Sequence, residues 1–188
     1  MKLPITPVVE TVFGLLLLVA TVSVNAQTVG AGPYYASPSW DQTLPPNTRF
    51  IVLSNMNSAA VLDRETGLVW QKTPDQSHTL RLSEAQQTCF EFESVRYGWR
   101  VPTMSELLSL FVPGTCTTNA GVTVKCRSLP DGHPFDLPNG SVSAWSTTQV
   151  GGSPGSYFGL FTAPRGILTG IFDANTGQAS AWCVRAPF

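Results

Sequence analysis

The sequence is short of charge. Of its 188 residues only 12% are Asp, Glu, Lys or Arg, about half the usual share for a soluble domain. Eleven basic residues against twelve acidic ones leave a formal net charge of -1, so no cationic surplus exists to neutralise phosphates, and nucleic acid is excluded as a partner. Histidine is scarce as well. His78 and His133 stand in no recognisable nucleophile context, which leaves a Ser-His-Asp hydrolase without its base. No Cys-x-x-Cys pair occurs. A zinc site would need Cys116, Cys126 and His133 to converge at no recognised ligand spacing, so neither metal nor cofactor is expected. No internal repeat and no Gly-x-y tract is visible, which removes solenoid and collagen-like architectures.

Long hydrophobic runs are also missing, with one exception near the start. Residues 12–24, VFGLLLLVATVSV, are apolar and uncharged, but thirteen residues fall short of the roughly 20 that span a bilayer. Lys2 precedes the run. Val24-Asn25-Ala26 places small residues where a signal peptidase reads, so residues 1–26 are expected to be a signal peptide cleaved before Gln27. No Lys or Arg follows until Arg49, so a stop-transfer flank is absent and the mature chain carries no stable membrane span. No cysteine sits just after the cleavage site, which disfavours a lipoprotein.

The four cysteines are Cys89, Cys116, Cys126 and Cys183. An even count in an exported chain implies two disulfides, with three pairings open, and an extracytoplasmic location: periplasm, cell surface or medium. Sixteen Gly and fifteen Pro favour short strands and turns over a helical bundle.

Residues 27–48 read as an irregular lead-in, in which Tyr34, Tyr35 and Trp40 could pack on the domain or face solvent. The domain proper is expected over 49–188. Residues 49–53, 60–62 and 68–70 are extended, with turns at 55–58 and 64–67. A first helix over 83–94 has Ser83 as N-cap with Gln86 three residues on, and Ala85, Cys89 and Phe92 on its apolar face. A second over 103–111 has the box Thr103-x-x-Glu106, and Met104, Leu107, Leu108 and Phe111 as its buried stripe. Pro113-Gly114 should stop it. Residues 115–140 read as a loop, followed by strands at 142–148, 157–162, 166–172 and 179–185. The class is therefore α+β: two short amphipathic helices packed on one side of an antiparallel sheet. Trp70, Trp99, Trp145 and Trp182 are expected in the core. Arg100 reads as structural, paired with Glu106.

The segments VLDRETGLVWQK (61–72), SEAQQTCFEF (83–92), YGWRVPTMSELLSLF (97–111), SAWSTT (143–148) and AWCVRAP (181–187) resemble, in that order, the Lcl C-terminal domain family. This group was formerly a domain of unknown function and is named after the C-terminal domain of a bacterial collagen-like adhesin. The resemblance covers about residues 49–188. It implies a C-type-lectin-like fold near the formylglycine-generating, sulfatase-modifying-factor branch. It also implies a long-range disulfide from the first helix to the last strand, Cys89–Cys183, leaving Cys116–Cys126 to close a local loop.

A lectin-type calcium site is not matched. Leu137-Pro138-Asn139 has Asp136 one position too early, and Trp145 is followed by Ser146 and Thr147. Asp131 and Asp136 are too few for a cation that takes six to eight oxygens. His133, in Asp131-Gly132-His133-Pro134, reads as a solvated turn residue. Loop aromatics suit sugar stacking, which makes Tyr157 and Phe158, after the glycine-rich turn, the candidate binding residues. The expected function is an exported, non-catalytic ligand-binding or adhesion module, recognising polysaccharide or a cell-surface protein. The alternatives are an enzyme of the sulfatase-modifying-factor type, which needs a free thiol, and a structural accessory subunit of a cell-envelope assembly.

Overall fold

Three apolar segments, FIVL, AVLD and VWQ, are buried residue after residue instead of alternating. That pattern belongs to strands covered on both faces. The computed structural model describes residues 28–30, 44–92, 97–117, 121–137, 141–163 and 166–186, and in it these segments build the first of two five-stranded sheets. β1 (Thr28–Gly30) runs parallel to β2 (Phe50–Leu53). β2 pairs antiparallel with β3 (Ala60–Asp63), β3 with β4 (Val69–Gln71), and β4 with β12 (Val184–Arg185). The expected signal peptide, residues 1–26, and Tyr34, Tyr35 and Trp40 lie outside the described residues. The stretch expected to be an irregular lead-in nevertheless contributes β1 and the single-turn helix α1 (Pro46–Arg49).

The second sheet has the order β10-β9-β8-β11-β5. Its strands are β5 (Asp75–Leu80), β8 (Ser143–Gln149), β9 (Ser156–Ala163), β10 (Gly166–Asp173) and β11 (Ala179–Ala181). Every pairing is antiparallel except β11 with β8. The single strand expected over 179–185 is two. β11 joins the second sheet and β12 the first, with Trp182 and Cys183 between them. Side chains still alternate through this crossover. Ala181 and Cys183 enter one apolar cluster, while Trp182 and Val184 enter the other.

The same alternation divides the first sheet. Ile51, Leu53, Leu62 and Val69 belong to one cluster, and Phe50, Val52, Val61 and Trp70 to its opposite. The helices divide likewise, which corrects the expectation that both cover one side. α2 (Leu82–Glu91) sends Leu82, Ala85 and Cys89 into the first cluster, and α3 (Met104–Ser109) sends Met104 and Leu107 into the second. Trp70, Trp99, Trp145 and Trp182 are all buried. Phe92 and Leu108 are only half-buried, while Leu110, outside the expected stripe, is fully buried.

The N-cap of α2 is Arg81 and not Ser83. Glu84 reaches back to accept the Arg81 N–H at 2.7 Å, so the first turn closes two residues earlier and Ser83 is left on the exposed face. The box at α3 is as expected. The Glu106 N–H donates to Thr103 Oγ1 at 3.2 Å and the Thr103 N–H to Glu106 Oε2 at 2.8 Å.

The expected loop over 115–140 holds a hairpin, β6 (Val112–Thr117) with β7 (Thr123–Ser128). Pro113 and Gly114 lie inside β6 and do not terminate α3, whose last residue is Ser109. This hairpin lacks the apolar period that marks a strand. β7 is exposed or half-exposed throughout, and its register is held by Cys116–Cys126, whose Cα atoms are 5.8 Å apart. The second disulfide, Cys89–Cys183, joins α2 to the crossover between β11 and β12 with Cα atoms 5.3 Å apart. Both pairings are those implied by the family resemblance, and all four cysteines are used.

Candidate functional site

The two residues expected to offer sugar-stacking faces are both half-buried. Tyr157 and Phe158 lie within β9, not in the preceding turn. Their rings are half-buried, on opposite faces, against the two apolar clusters. His133 is also placed differently from a solvated turn residue. Its Nδ1 accepts the Phe135 N–H at 3.2 Å. Burial lowers its pKa, outweighing the opposing pull of Asp131 and Asp136. Asp136 is engaged by Lys72 Nζ and Thr73 Oγ1, each at 3.0 Å, and the Lys72 hydrogen bond is the main reason its carboxyl sits below the usual range. Among the described residues no group of three or more His, Cys, Asp or Glu converges as metal ligands.

A concavity lies along the exposed side of α2. It is a groove of about 490 Å³ lined by Ser83, Gln86, Gln87, Phe90, Trp99, Arg100, Val101 and Thr147. The helical repeat explains one wall. Ser83, Gln86, Gln87 and Phe90 fall at i, i+3, i+4 and i+7, one face of a helix, on the flank roughly 100° round from the buried stripe of Leu82, Ala85 and Cys89. Phe90 breaks the polarity of that face and is 74% exposed, with Tyr97 nearby in sequence at 85%.

The other wall is the segment from Trp99 to Thr103. Arg100 exchanges backbone hydrogen bonds with Val184, both at 2.9 Å, and the Pro102 carbonyl accepts the Thr147 N–H at 2.8 Å. The segment is thus clamped between β12 and β8, with Trp99 and Val101 turned into the core. Arg100 donates from Nη1 to Glu106 Oε2 at 2.8 Å and from Nη2 to Glu106 Oε1 at 2.6 Å, a bidentate pair that confirms the expected partner. Burial pushes the Glu106 carboxyl up, but Arg100 and the Thr103 amide and hydroxyl outweigh it and hold it below the ordinary range. The Glu106 hydrogen bond raises Arg100 in turn.

Chemically the groove offers two side-chain amides, hydroxyls, a guanidinium whose charge is already balanced, and an exposed aromatic face. That set suits hydroxyl-rich ligands with an apolar ring face better than an ion. Sequence reasoning placed Gln86 in a cap and passed over Gln87 and Phe90. The signal available was Phe90 itself, a large aromatic on the polar face of an otherwise regular amphipathic helix.

A family model described as the Lcl C-terminal domain matches residues 59–185. No curated protein and no solved structure matches the chain.

Proposed function

Since the chain belongs to the Lcl C-terminal domain family, we propose that it is an exported, non-catalytic binding module of C-type-lectin-like fold that holds a polysaccharide in the groove along α2. The observation that carries this reading is the juxtaposition of exposed Phe90 with Gln86, Gln87 and Arg100 in one groove, the guanidinium held in place by Glu106 beside it. Two disulfides fit an oxidising, extracytoplasmic setting, and among the described residues no helix is long and apolar enough to cross a membrane. Cleavage before Gln27 would deliver the domain there, which N-terminal sequencing of the exported protein checks. The sulfatase-modifying-factor alternative needs a thiol, and all four cysteines are paired. Titration of thiols in denatured, unreduced protein tests that point directly.

The binding test is a glycan array and polysaccharide pull-down with the exported chain and with Phe90→Ala and Gln87→Ala. Both positions are exposed, so fold and melting temperature should be unchanged. Loss of stacking on Phe90 should weaken binding by about 1–3 kcal/mol, taking base–aromatic stacking as a guide. Binding that survives both substitutions would place the ligand elsewhere, and uniform failure of the wild type to bind would remove the reading.

A further inference from the structure

β10 is the outermost strand of the second sheet, with β9 as its one paired neighbour. Its backbone polarity follows from the hydrogen bonds at the end of the hairpin. The Ala174 N–H donates to the Gly155 carbonyl, whereas Ser156 spends both its backbone groups on Ser153 and Val150, turned away from Asp173. Antiparallel ladders alternate residue by residue, so Thr169 and Ile171 direct their N–H and C=O groups to the open side, whereas the Asp173 carbonyl accepts the Gly177 N–H at 2.7 Å. The Phe158 carbonyl, opposite Ile171, goes to the Ser146 hydroxyl on β8, which agrees.

The first residues of β10 pack against β7, but beyond them this edge lacks the usual protections. GILTGIFD has no proline and no charge before its last residue, and the β9–β10 register is unbroken over eight pairs. Leu168 is 67% and Ile171 63% exposed. A long, regular, apolar edge of this kind templates pairing with another strand. Charge selects the partner. Near the first residues of β10, the exposed Lys125 and Arg127 of β7 share a shallow recess with Ile167, Leu168 and Thr169. The far end carries exposed Asp173. An antiparallel copy of the same strand brings each Asp173 to the other copy's Lys125 and Arg127.

We infer that β10 is a self-association edge, on which a second copy of this chain pairs antiparallel about a twofold axis near Gly170. In that register Thr169 opposes Ile171 with their outward backbone groups matched, and Leu168 opposes Phe172 on the other face. The contact is isologous and closes at two copies. It is independent of the α2 groove.

Sedimentation of the full exported chain over a wide concentration range tests this, together with amide exchange at Thr169 and Ile171. The expected result is twice the chain mass, with both amides protected in step with dimer formation. Ile171→Lys should return a single-chain mass and fast exchange at both amides, with an unchanged melting temperature. Asp173→Asn keeps the turn acceptor but removes the charge. It should raise the dissociation constant severalfold and reduce its dependence on salt. A single-chain mass at the highest concentration, or a dimer that survives Ile171→Lys, would overturn the inference. So would edge amides protected only when another cell-envelope protein is added. Glycan binding by Ile171→Lys should equal that of the wild type, so failure here and failure at the groove are told apart.

Discussion

The two disulfides differ in what they should contribute, and the difference can be worked from their positions. Cys89–Cys183 closes a loop with a sequence separation of 94, and Cys116–Cys126 one of 10. On the chain-entropy model the long loop is worth about 4.7 kcal/mol and the short one about 2.7 kcal/mol, a difference of about 2 kcal/mol set by loop length alone. Packing adds to the contrast. Cys89 and Cys183 are fully buried between α2 and the β11–β12 crossover, while Cys126 is only half-buried on the outer hairpin. A domain of this size has about 5–15 kcal/mol in all. Cys89→Ala with Cys183→Ala should therefore leave it marginal, and Cys116→Ala with Cys126→Ala should leave it folded. Urea titrations followed by tryptophan fluorescence measure both, since four core tryptophans report on packing. Binding supplies a second readout, because Cys89 is on the inner face of the helix whose flank lines the groove. The long-range variant should lose affinity under conditions where it is still largely folded. Equal costs for the two variants, or a larger cost for the hairpin, would refute the reasoning.

Asp63 receives Arg49 Nε at 2.9 Å and Nη2 at 2.8 Å, both side chains being buried, while Nη2 also reaches the Ser109 carbonyl at 2.6 Å. Arg49 Nη1 also meets Glu65 Oε2 at 3.1 Å, so Asp63→Asn leaves the guanidinium one carboxylate and should cost less, in a denaturant titration, than the about 3–5 kcal/mol of a fully stranded buried charge. Leu107→Ala, at a fully buried site under α3, should cost about 2–5 kcal/mol by the same assay. Gly166 has φ +105°, and a Cβ there would lie 2.8 Å from Cys126 Cβ and 2.9 Å from the Arg127 carbonyl. Gly166→Ala should therefore cost about 1–3 kcal/mol and loosen the hairpin, seen as faster amide exchange in β6 and β7. Glu106 titrates below the ordinary glutamate range in the folded state. Its contribution is thus complete above that range and is lost as the pH falls through its folded value. The acid limb of the wild-type stability profile should be steeper than that of Glu106→Gln, and parallel limbs would contradict the assignment.

The apolar strands, the α3 capping box and the four core tryptophans were legible because a local pattern specifies each of them. Phe50–Leu53 is β-rich and bounded by turns, and Thr103-x-x-Glu106 satisfies its own helix end. β7 was not legible. TVKCRS buries almost nothing, so no period marks it, and a disulfide holds its register instead of a hydrophobic face. The break at Trp182 and Cys183 was hidden for the opposite reason. Side chains alternate regularly through 181–184, and only the choice of two different sheet partners divides the strand. Tyr157 and Phe158 were expected to be open to a sugar, but β9 begins at Ser156 and carries both. The pleat then sends successive rings to opposite faces, both of which are covered.

That double covering also decides where a ligand can bind. With both faces of the first sheet buried, and the central strands of the second flanked by the same two clusters, neither sheet offers a broad open face. Among the described residues the concavities lie along α2, beside His133 and Phe135, and at the free strand edge. Of these, α2 is held most firmly. Its inner face is fixed by Leu82, Ala85 and the Cys89–Cys183 bond, and the facing segment is clamped by Val184, Thr147 and Glu106. A groove whose walls do not move loses little entropy when a ligand is ordered in it. A rigid wall on either side of exposed Phe90 is therefore a physical reason to look for the ligand there before the more loosely held hairpin. Loosening one wall without touching a lining residue of the groove should show it. Thr148→Ala removes the hydroxyl that accepts the Met104 N–H at 2.8 Å, where α3 begins beside the Thr103–Glu106 box. If rigidity matters, this variant should bind polysaccharide more weakly than the wild type while its melting temperature falls only slightly. Unchanged affinity would show that the groove does not depend on the fixity of its walls.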